Sequence, residues 1–471
     1  MKKIGTICLI LCFAVSFCGL SVPAAAAESQ QSTSVLNGPH SLDARNPLLG
    51  SGKIVDNIES AIVFEAKSET LMYAWNCDER MTPASFVKIL TALIVAEQGN
   101  LDDAVTVKQS VLDSVPNDAV TAKLKTDEVL TVKDLLYCMM VGSANDAAAV
   151  LADHVYGTQA AFVEEMNRYA KALGCLGTNF TNVHGLHDED QYTTARDTAK
   201  ILYAAAQNKI FCSVFEAVQY TVPATNKSDE RNLITGNYLM NQNQDSVEIY
   251  YDSRVTGGRT GVTSSGLRCI AVTAQSNDMM LISVLMGSKS VYQEDGYTVQ
   301  TFGGYKETSA LLDAGFGSFK VAQLIHPNQT VIQCRVENGS SDVVLGSQQP
   351  VYTVLPQGLS PSDLDYRYTN IGVGFQAPVE KGEALSSVEI WYNDLCLGQA
   401  ELFALNSVPV WQEYVEDGGA RNSSSSWILI LKIAVCCVFG LVLLSVVLRM
   451  TGRSGVSKGG SRRGKNRRRG G

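Results

Sequence analysis

Ser85 and Lys88 stand three residues apart at the head of an apolar run, Pro83-Ala84-Ser85-Phe86-Val87-Lys88-Ile89-Leu90-Thr91-Ala92-Leu93. On a helix, side chains at i and i+3 share a face, with Cβ atoms about 5–6 Å apart. A lysine inside an apolar helix loses its charged form readily, because desolvation disfavours the cation. A neutral amine beside a hydroxyl is a general base beside a nucleophile. The helix N-terminus adds unpaired backbone N–H groups and positive potential, which suit a developing oxyanion. The same pair also fits a plainer arrangement, in which Ser85 caps the helix and Lys88 reaches the surface.

Two further polar groupings could share that chemistry. Gly142-Ser143-Ala144-Asn145-Asp146 lies where two helical segments meet. Ser143 and Asn145, two apart in a loop, can face one cleft: a hydroxyl relays protons, and a carboxamide holds a lysine or a substrate amide. A helix N-cap by either residue is the plainer alternative. Gly257-Gly258-Arg259-Thr260-Gly261 leads into an apolar hairpin. A cation, a hydroxyl and glycines on an edge strand suit a substrate lying along the strand with its carboxylate on the cation. Glycine-rich hairpin turns also look like this.

The surrounding pattern shows what must position these groups. Residues 60–66 and 71–75 read as strands joined by a turn, followed by the Ser85 helix. Residues 130–140, 145–154 and 162–173 carry helical apolar periods, the last closed by Gly174. Residues 267–274 and 280–286 read as a hairpin around Ser276-Asn277-Asp278. Strands near both ends with helices between them predict an α+β domain over 51–320, helices around an antiparallel sheet that joins its termini. Beyond Gln329 the helical period vanishes, and short strands at 330–336, 350–355 and 387–392 predict a small β-rich domain over 321–410. His184 and His187 sit either side of Gly185 in a loop. We expect neither a metal site nor a cofactor there.

The ends of the chain place it. Lys2-Lys3, an apolar stretch to Val22 and Pro23-Ala24-Ala25-Ala26-Ala27 form a secretory signal peptide, residues 1–27. A polar leader, expected to be flexible, covers 28–50, and a Ser-rich linker covers 411–426. Trp427 to Val447 holds one charge, Lys432, and is long enough to cross a bilayer, giving a transmembrane helix over 427–448. Nine Lys and Arg and no acid follow in 449–471, which orients this tail to the cytoplasm. The expected location is a single-pass cell-membrane protein with its folded part outside. That outer part keeps 26 of the 38 Lys and Arg against all 47 Asp and Glu, a net charge of −21. Such an exterior argues against nucleic acid as a partner. Seven cysteines remain there at irregular spacing, which is no disulfide framework.

In order, Ser-x-x-Lys, a Ser-x-Asn loop and a Lys-Thr-Gly-like triplet mark penicillin-binding proteins and class A β-lactamases. With Met81-Thr82-Pro83-Ala84 before the serine, Asp146-Ala147-Ala148 after the asparagine and the run from Thr178 to Asp197, the chain resembles the low-molecular-weight penicillin-binding proteins. These are serine-type D-alanyl-D-alanine carboxypeptidases. Ala377-Pro378-Val379-Glu380-Lys381-Gly382 resembles their C-terminal β-domain. The resemblance implies the transpeptidase-like fold of penicillin-binding proteins and β-lactamases. Its expected partners are peptidoglycan stem peptides ending in D-Ala-D-Ala, and β-lactam antibiotics. It implies Ser85 as nucleophile, Lys88 as its base, Ser143 as proton relay and Asn145 as positioner. It gives the carboxylate to Arg259 and Thr260 beside Gly261, and the oxyanion to the backbone N–H groups of Ser85 and Val262.

Two departures stand out. The family usually has lysine where this chain has Arg259, and an acidic residue is often found just before that strand. Arginine keeps the charge and grips a carboxylate with two bonds, but cannot become neutral. Two alternatives follow: a catalytically weakened penicillin-binding or wall-interaction protein, and a class A-like β-lactamase. The second would need a deacylating glutamate loop, which we do not find.

Overall fold

The computed structural model describes residues 47–242, 250–371, 374–393 and 395–412. The signal peptide, nearly all of the leader, the 427–448 segment and the basic tail lie outside them. No helix among the described residues is long and apolar enough to cross a membrane.

One antiparallel sheet gathers both ends of the first domain. Its strands are β1 (Ser60–Glu65), β2 (Thr70–Trp75), β3 (Val255–Val262), β4 (Arg268–Ser276) and β5 (Met279–Ser288), in the order β2-β1-β5-β4-β3. β1 and β5 lie inside, and their runs of buried apolar residues are what a strand covered on both faces requires. Leu48 and Leu49 extend the β2 edge by donating to the carbonyls of Leu71 and Met72, so the end of the leader is tied to the sheet. The opposite edge is β3, which leaves its outer backbone groups for a partner strand.

On one face, helix α1 (Val87–Gln98) is buried from Val87 through Ala96. Fully burying each Leu, Ile or Val on it contributes about 1.5–3 kcal/mol relative to exposure. α1 packs against α2 (Val132–Met140), α3 (Asn145–Tyr156) and the helices Gln159–Ala172 and Ala195–Ala205. The Ala147-Ala148-Ala149 run of α3 is fully buried, and small side chains let the helix axes come close. α2 begins with a reciprocal cap, Thr131 with Asp134. The run that ends at Asp197 looks loop-like in sequence, yet Thr194 caps a helix there by accepting from the Asp197 N–H.

Helix Tyr305–Ser318 covers the other face of the sheet. The sequence period does not reveal it, because Gly315 and Gly317 weaken its propensity. After it the chain is β-rich. Phe319–Ile325 pairs with Val351–Pro356, and a second five-stranded sheet forms around Ala384–Tyr392 and Leu395–Ala404. Its core holds Val343, Leu345, Val388, Ile390, Leu402 and Val408. The seven cysteines from Cys77 to Cys396 are all free.

Candidate active site

Ser85 lies on a single tight turn, Ala84–Phe86, that feeds directly into α1. Ala84 takes a left-handed φ of 46°, unusual for a residue with a side chain. Two glycines make room for that turn. A Cβ on Gly185 would fall 1.8 Å from the Ala84 carbonyl oxygen, and one on Gly261 would fall 2.9 Å from the Ser85 nitrogen. Gly261 therefore lets β3 lie against the start of the Ser85 turn.

Lys88 does not reach solvent; it is 1 % exposed. Its Nζ lies 3.3 Å from Ser85 Oγ, 2.7 Å from Asn145 Oδ1 and 2.6 Å from the His184 carbonyl oxygen. Burial drives this amine well below the usual lysine range; the charge of Arg259 pushes the same way, and Asp146 opposes both. A neutral amine has two N–H groups and one lone pair. With the N–H groups on Asn145 and His184, the lone pair faces the Ser85 hydroxyl. That is the arrangement a general base needs.

Neither plainer capping alternative holds. Phe86 is the N-cap residue of α1, Ala144 that of α3, and neither helix has a side-chain cap bond. Asn145 is instead the first residue of α3 and is buried. Its backbone N–H and its Nδ2 both donate to the Val120 carbonyl, at 2.8 and 2.9 Å. That acceptor holds the amide group of Asn145 away from Lys88, so Oδ1 faces the amine.

Ser143 sits on the link between α2 and α3 with φ 59°, a left-handed conformation. Its hydroxyl accepts a bond from Arg259 Nη2, while Arg259 Nη1 donates to the Met140 carbonyl at 2.9 Å. Arg259 is 5 % exposed, and no carboxylate pairs with it among the described residues. Its Nε is buried without an acceptor. Desolvation lowers the guanidinium to about 10, which still leaves it a cation at neutral pH. An uncompensated buried cation is an anion site in waiting. Strand alternation puts Arg259 and Gly261 on one face of β3 and Thr260 and Val262 on the other, with Val262 half exposed at the edge.

Sequence reading misses three groups. His184 supplies a backbone carbonyl to Lys88, Val120 supplies one to Asn145, and Asp146 bonds the loop that carries Val120. The first two act through the backbone, so residue type gives no signal. The His184 turn is held by Asn182, whose Oδ1 accepts from Gly185 N at 2.7 Å, and by Thr91 on α1, which donates to Val183 O at 2.8 Å. The His184 ring accepts from Leu186 N through Nδ1; burial and the nearby Lys88 lower it to about 4, so it stays neutral. No cluster of three metal-ligating side chains occurs among the described residues.

Comparison with known proteins agrees with this geometry. Residues 55–290 match the D-alanyl-D-alanine carboxypeptidase family, and residues 319–410 match the C-terminal domain of penicillin-binding protein 5. A D-alanyl-D-alanine carboxypeptidase, DacA of Haemophilus influenzae, is 29 % identical over 358 residues, covering 74 % of this chain and 85 % of that one. The D-alanyl-D-alanine carboxypeptidase of a Streptomyces strain is 30 % identical over 246 residues, covering 50 % of this chain and 82 % of its own. The crystal structure of penicillin-binding protein 5 from Haemophilus influenzae aligns with a TM-score of 0.64 at 27 % identity, covering 76 % of this chain and all of that one.

Proposed function

The chain belongs to the D-alanyl-D-alanine carboxypeptidase family, and on that premise we propose how its own residues carry the reaction. It is a serine-type D-Ala-D-Ala carboxypeptidase that removes the terminal D-alanine of peptidoglycan stem peptides through an acyl-enzyme, and β-lactams acylate the same serine. Ser85 Oγ attacks the carbonyl between the two D-alanines as its proton passes to the Lys88 lone pair. The backbone N–H groups of Ser85 and Val262 receive the oxyanion. The proton that Lys88 took passes through the Ser143 hydroxyl to the departing amine of D-alanine as the peptide bond breaks, which leaves Lys88 neutral again, and Asn145 keeps Lys88 in line. Arg259 and Thr260 hold the substrate's free carboxylate, which supplies the anion that the buried guanidinium lacks. Water then attacks the ester carbonyl as Lys88 takes its proton, and Lys88 returns that proton to Ser85 Oγ as the ester bond breaks.

The observation that carries this reading is the buried Lys88 amine, 3.3 Å from Ser85 Oγ with its other contacts on two neutral oxygens. The test is D-alanine release from a peptide ending in D-Ala-D-Ala, with Ser85→Ala as control. Release by the wild type alone supports the reading; equal release by both chains overturns it.

Arg259 favours a second reading, in which the site is acylated by β-lactams but turns peptides over slowly. Labelling by a fluorescent penicillin without D-alanine release would mark it. We also place the enzyme on the wall side of the cell membrane, secreted by residues 1–27 and anchored by 427–448 with its basic tail in the cytoplasm. The support is the sequence pattern of those segments. Protease treatment of intact cells should remove the penicillin-labelled domain and leave the tail.

A further inference from the structure

We propose that Asp146 is a positioning residue for this acyl transfer: it fixes the loop 116–125, whose Val120 carbonyl decides which end of the Asn145 carboxamide faces Lys88. The assignment rests on the carboxypeptidase reading above.

A carboxamide has two nearly isosteric ends, one accepting and one donating. Only the accepting end can hold the Lys88 amine so that its lone pair faces Ser85. The choice is made by the Val120 carbonyl, which takes both the backbone N–H and the Nδ2 of Asn145. Val120 is itself 59 % exposed, so its own side chain does not anchor it. The anchor lies two residues on. Asp146 is 3 % exposed and accepts the Ala122 N–H at 2.9 Å through Oδ1 and the Leu124 N–H at 3.1 Å through Oδ2. Between them Lys123 takes a left-handed φ of 57°, which the two flanking bonds hold in place. Arg231 grips the loop from outside, donating from Nε to the Ala122 carbonyl at 3.0 Å and from Nη2 to Glu128. Asp146 thus adjoins Asn145 in sequence and reaches it a second time through the loop.

The charged groups that bear on Lys88 are Arg259 from β3 and Asp146 from α3; the adjacent His184 is neutral. Removing the Asp146 carboxylate takes away a charge that favours the ammonium form. Letting the Asn145 amide turn removes an acceptor that favours it as well. Both changes make the neutral amine persist to lower pH, while the base is less well aimed.

The test uses the full chain in detergent and follows acylation by a fluorescent penicillin across pH in wild type, Asp146→Asn, Asp146→Ala, Asn145→Ala and the Asp146→Ala/Asn145→Ala pair. Asp146→Asn is isosteric, keeps a single acceptor and guards against loss of folding, checked by thermal unfolding. A misplacement of about 1 Å costs about a hundredfold in rate, so Asp146→Ala should lose about that much and Asp146→Asn less. In both, the acidic limb should move to lower pH. The decisive reading is non-additivity: in the Asn145→Ala background, Asp146→Ala should add less than a threefold loss. Multiplying losses with an unmoved acidic limb would overturn the assignment and make Asp146 a purely structural residue. A wild-type chain that neither releases D-alanine nor is acylated would overturn the carboxypeptidase reading, and this assignment with it.

Discussion

The guanidinium of Arg259 donates to the hydroxyl of Ser143 and, at 2.9 Å, to the carbonyl of Met140. A buried cation is thereby tied to the proposed proton relay, and it bears on Lys88 through its charge. Removing the charge in Arg259→Gln should raise the Lys88 amine. With the amine proposed to act in its neutral form, the acidic limb of kcat/KM should shift to higher pH. A hydrogen bond to a charged group is worth about 1.5–3 kcal/mol, so kcat/KM for D-Ala-D-Ala peptides should also fall about ten- to a hundredfold. Arg259→Lys keeps the charge and should leave the limb near its wild-type position. Stopped-flow acylation across pH, alongside D-alanine release, checks both.

Ser143 holds a left-handed backbone conformation that glycine adopts without strain. Such strain costs about 1–3 kcal/mol at a residue with a side chain. Ser143→Gly should therefore raise the thermal midpoint while D-alanine release falls about 10²–10⁴-fold with loss of the relay. Parallel melting and activity assays would show stability and activity moving in opposite directions. A fall in both would mean the hydroxyl's bond to Arg259 outweighs the strain.

Two glycines are steric requirements of the Ser85 turn. Gly185→Ala would put a methyl group on the Ala84 carbonyl, at a residue that also has φ 88°. Gly261→Ala would crowd the Ser85 N–H, the proposed oxyanion donor. Losing one such donor costs about 10²–10³ in rate. Gly261→Ala should show that loss in acylation while the fold persists. Gly185→Ala should lower acylation and the melting temperature together, and penicillin labelling with differential scanning fluorimetry distinguishes the two patterns.

These three groupings were legible in sequence because each combines unusual side-chain chemistry with a fixed spacing. Lys88 amid Val87, Ile89 and Leu90 could only be a buried amine or a snorkelling one, and its acceptors settle which. The antiparallel sheet was legible from short apolar runs at 60–66, 71–75, 267–274 and 280–286 separated by turn residues. What could not be read is whatever the backbone does. The His184 and Val120 carbonyls carry no residue-type signal, and the loop that presents Val120 has no period. Helix Ala195–Ala205 was hidden because its capping Thr194 sits in a polar run, although Thr-x-x-Asp there is a capping signal.

Acid should weaken the fold in two stages. His184 is neutral when folded and lowered to about 4 from an ordinary 6.5. Below that ordinary value the unfolded chain binds the proton first, so stability should fall as pH drops through that window. Glu128 follows. Burial raises its carboxyl, but bonds from Thr225, Arg231 and the Lys125 N–H outweigh that and leave it low. The stability it contributes is present above its ordinary 4.5 and is lost as pH falls further. Urea melts from pH 8 to 3 should show both stages, and His184→Asn should remove the first.

Breaking the Glu128–Arg231 pair tests the packing of the same region. Glu128 is 0 % and Arg231 12 % exposed at the side chain, and their contact is 2.8 Å. Removing one partner of a buried pair costs about 3–5 kcal/mol. Arg231→Met should destabilise the chain by about that much, whereas Arg168→Met, at a largely exposed arginine, should cost about 0–1 kcal/mol.

The central claim is that Ser85 is made reactive by an amine whose burial holds it well below the usual lysine range. The pH dependence of the second-order rate of Ser85 acylation in the wild-type chain tests this most directly. We predict an acidic limb well below the ordinary lysine value of 10.5, with the rate level above it. A rate that keeps climbing through pH 10 would mean Lys88 titrates like a solvent-exposed lysine, and would contradict the account.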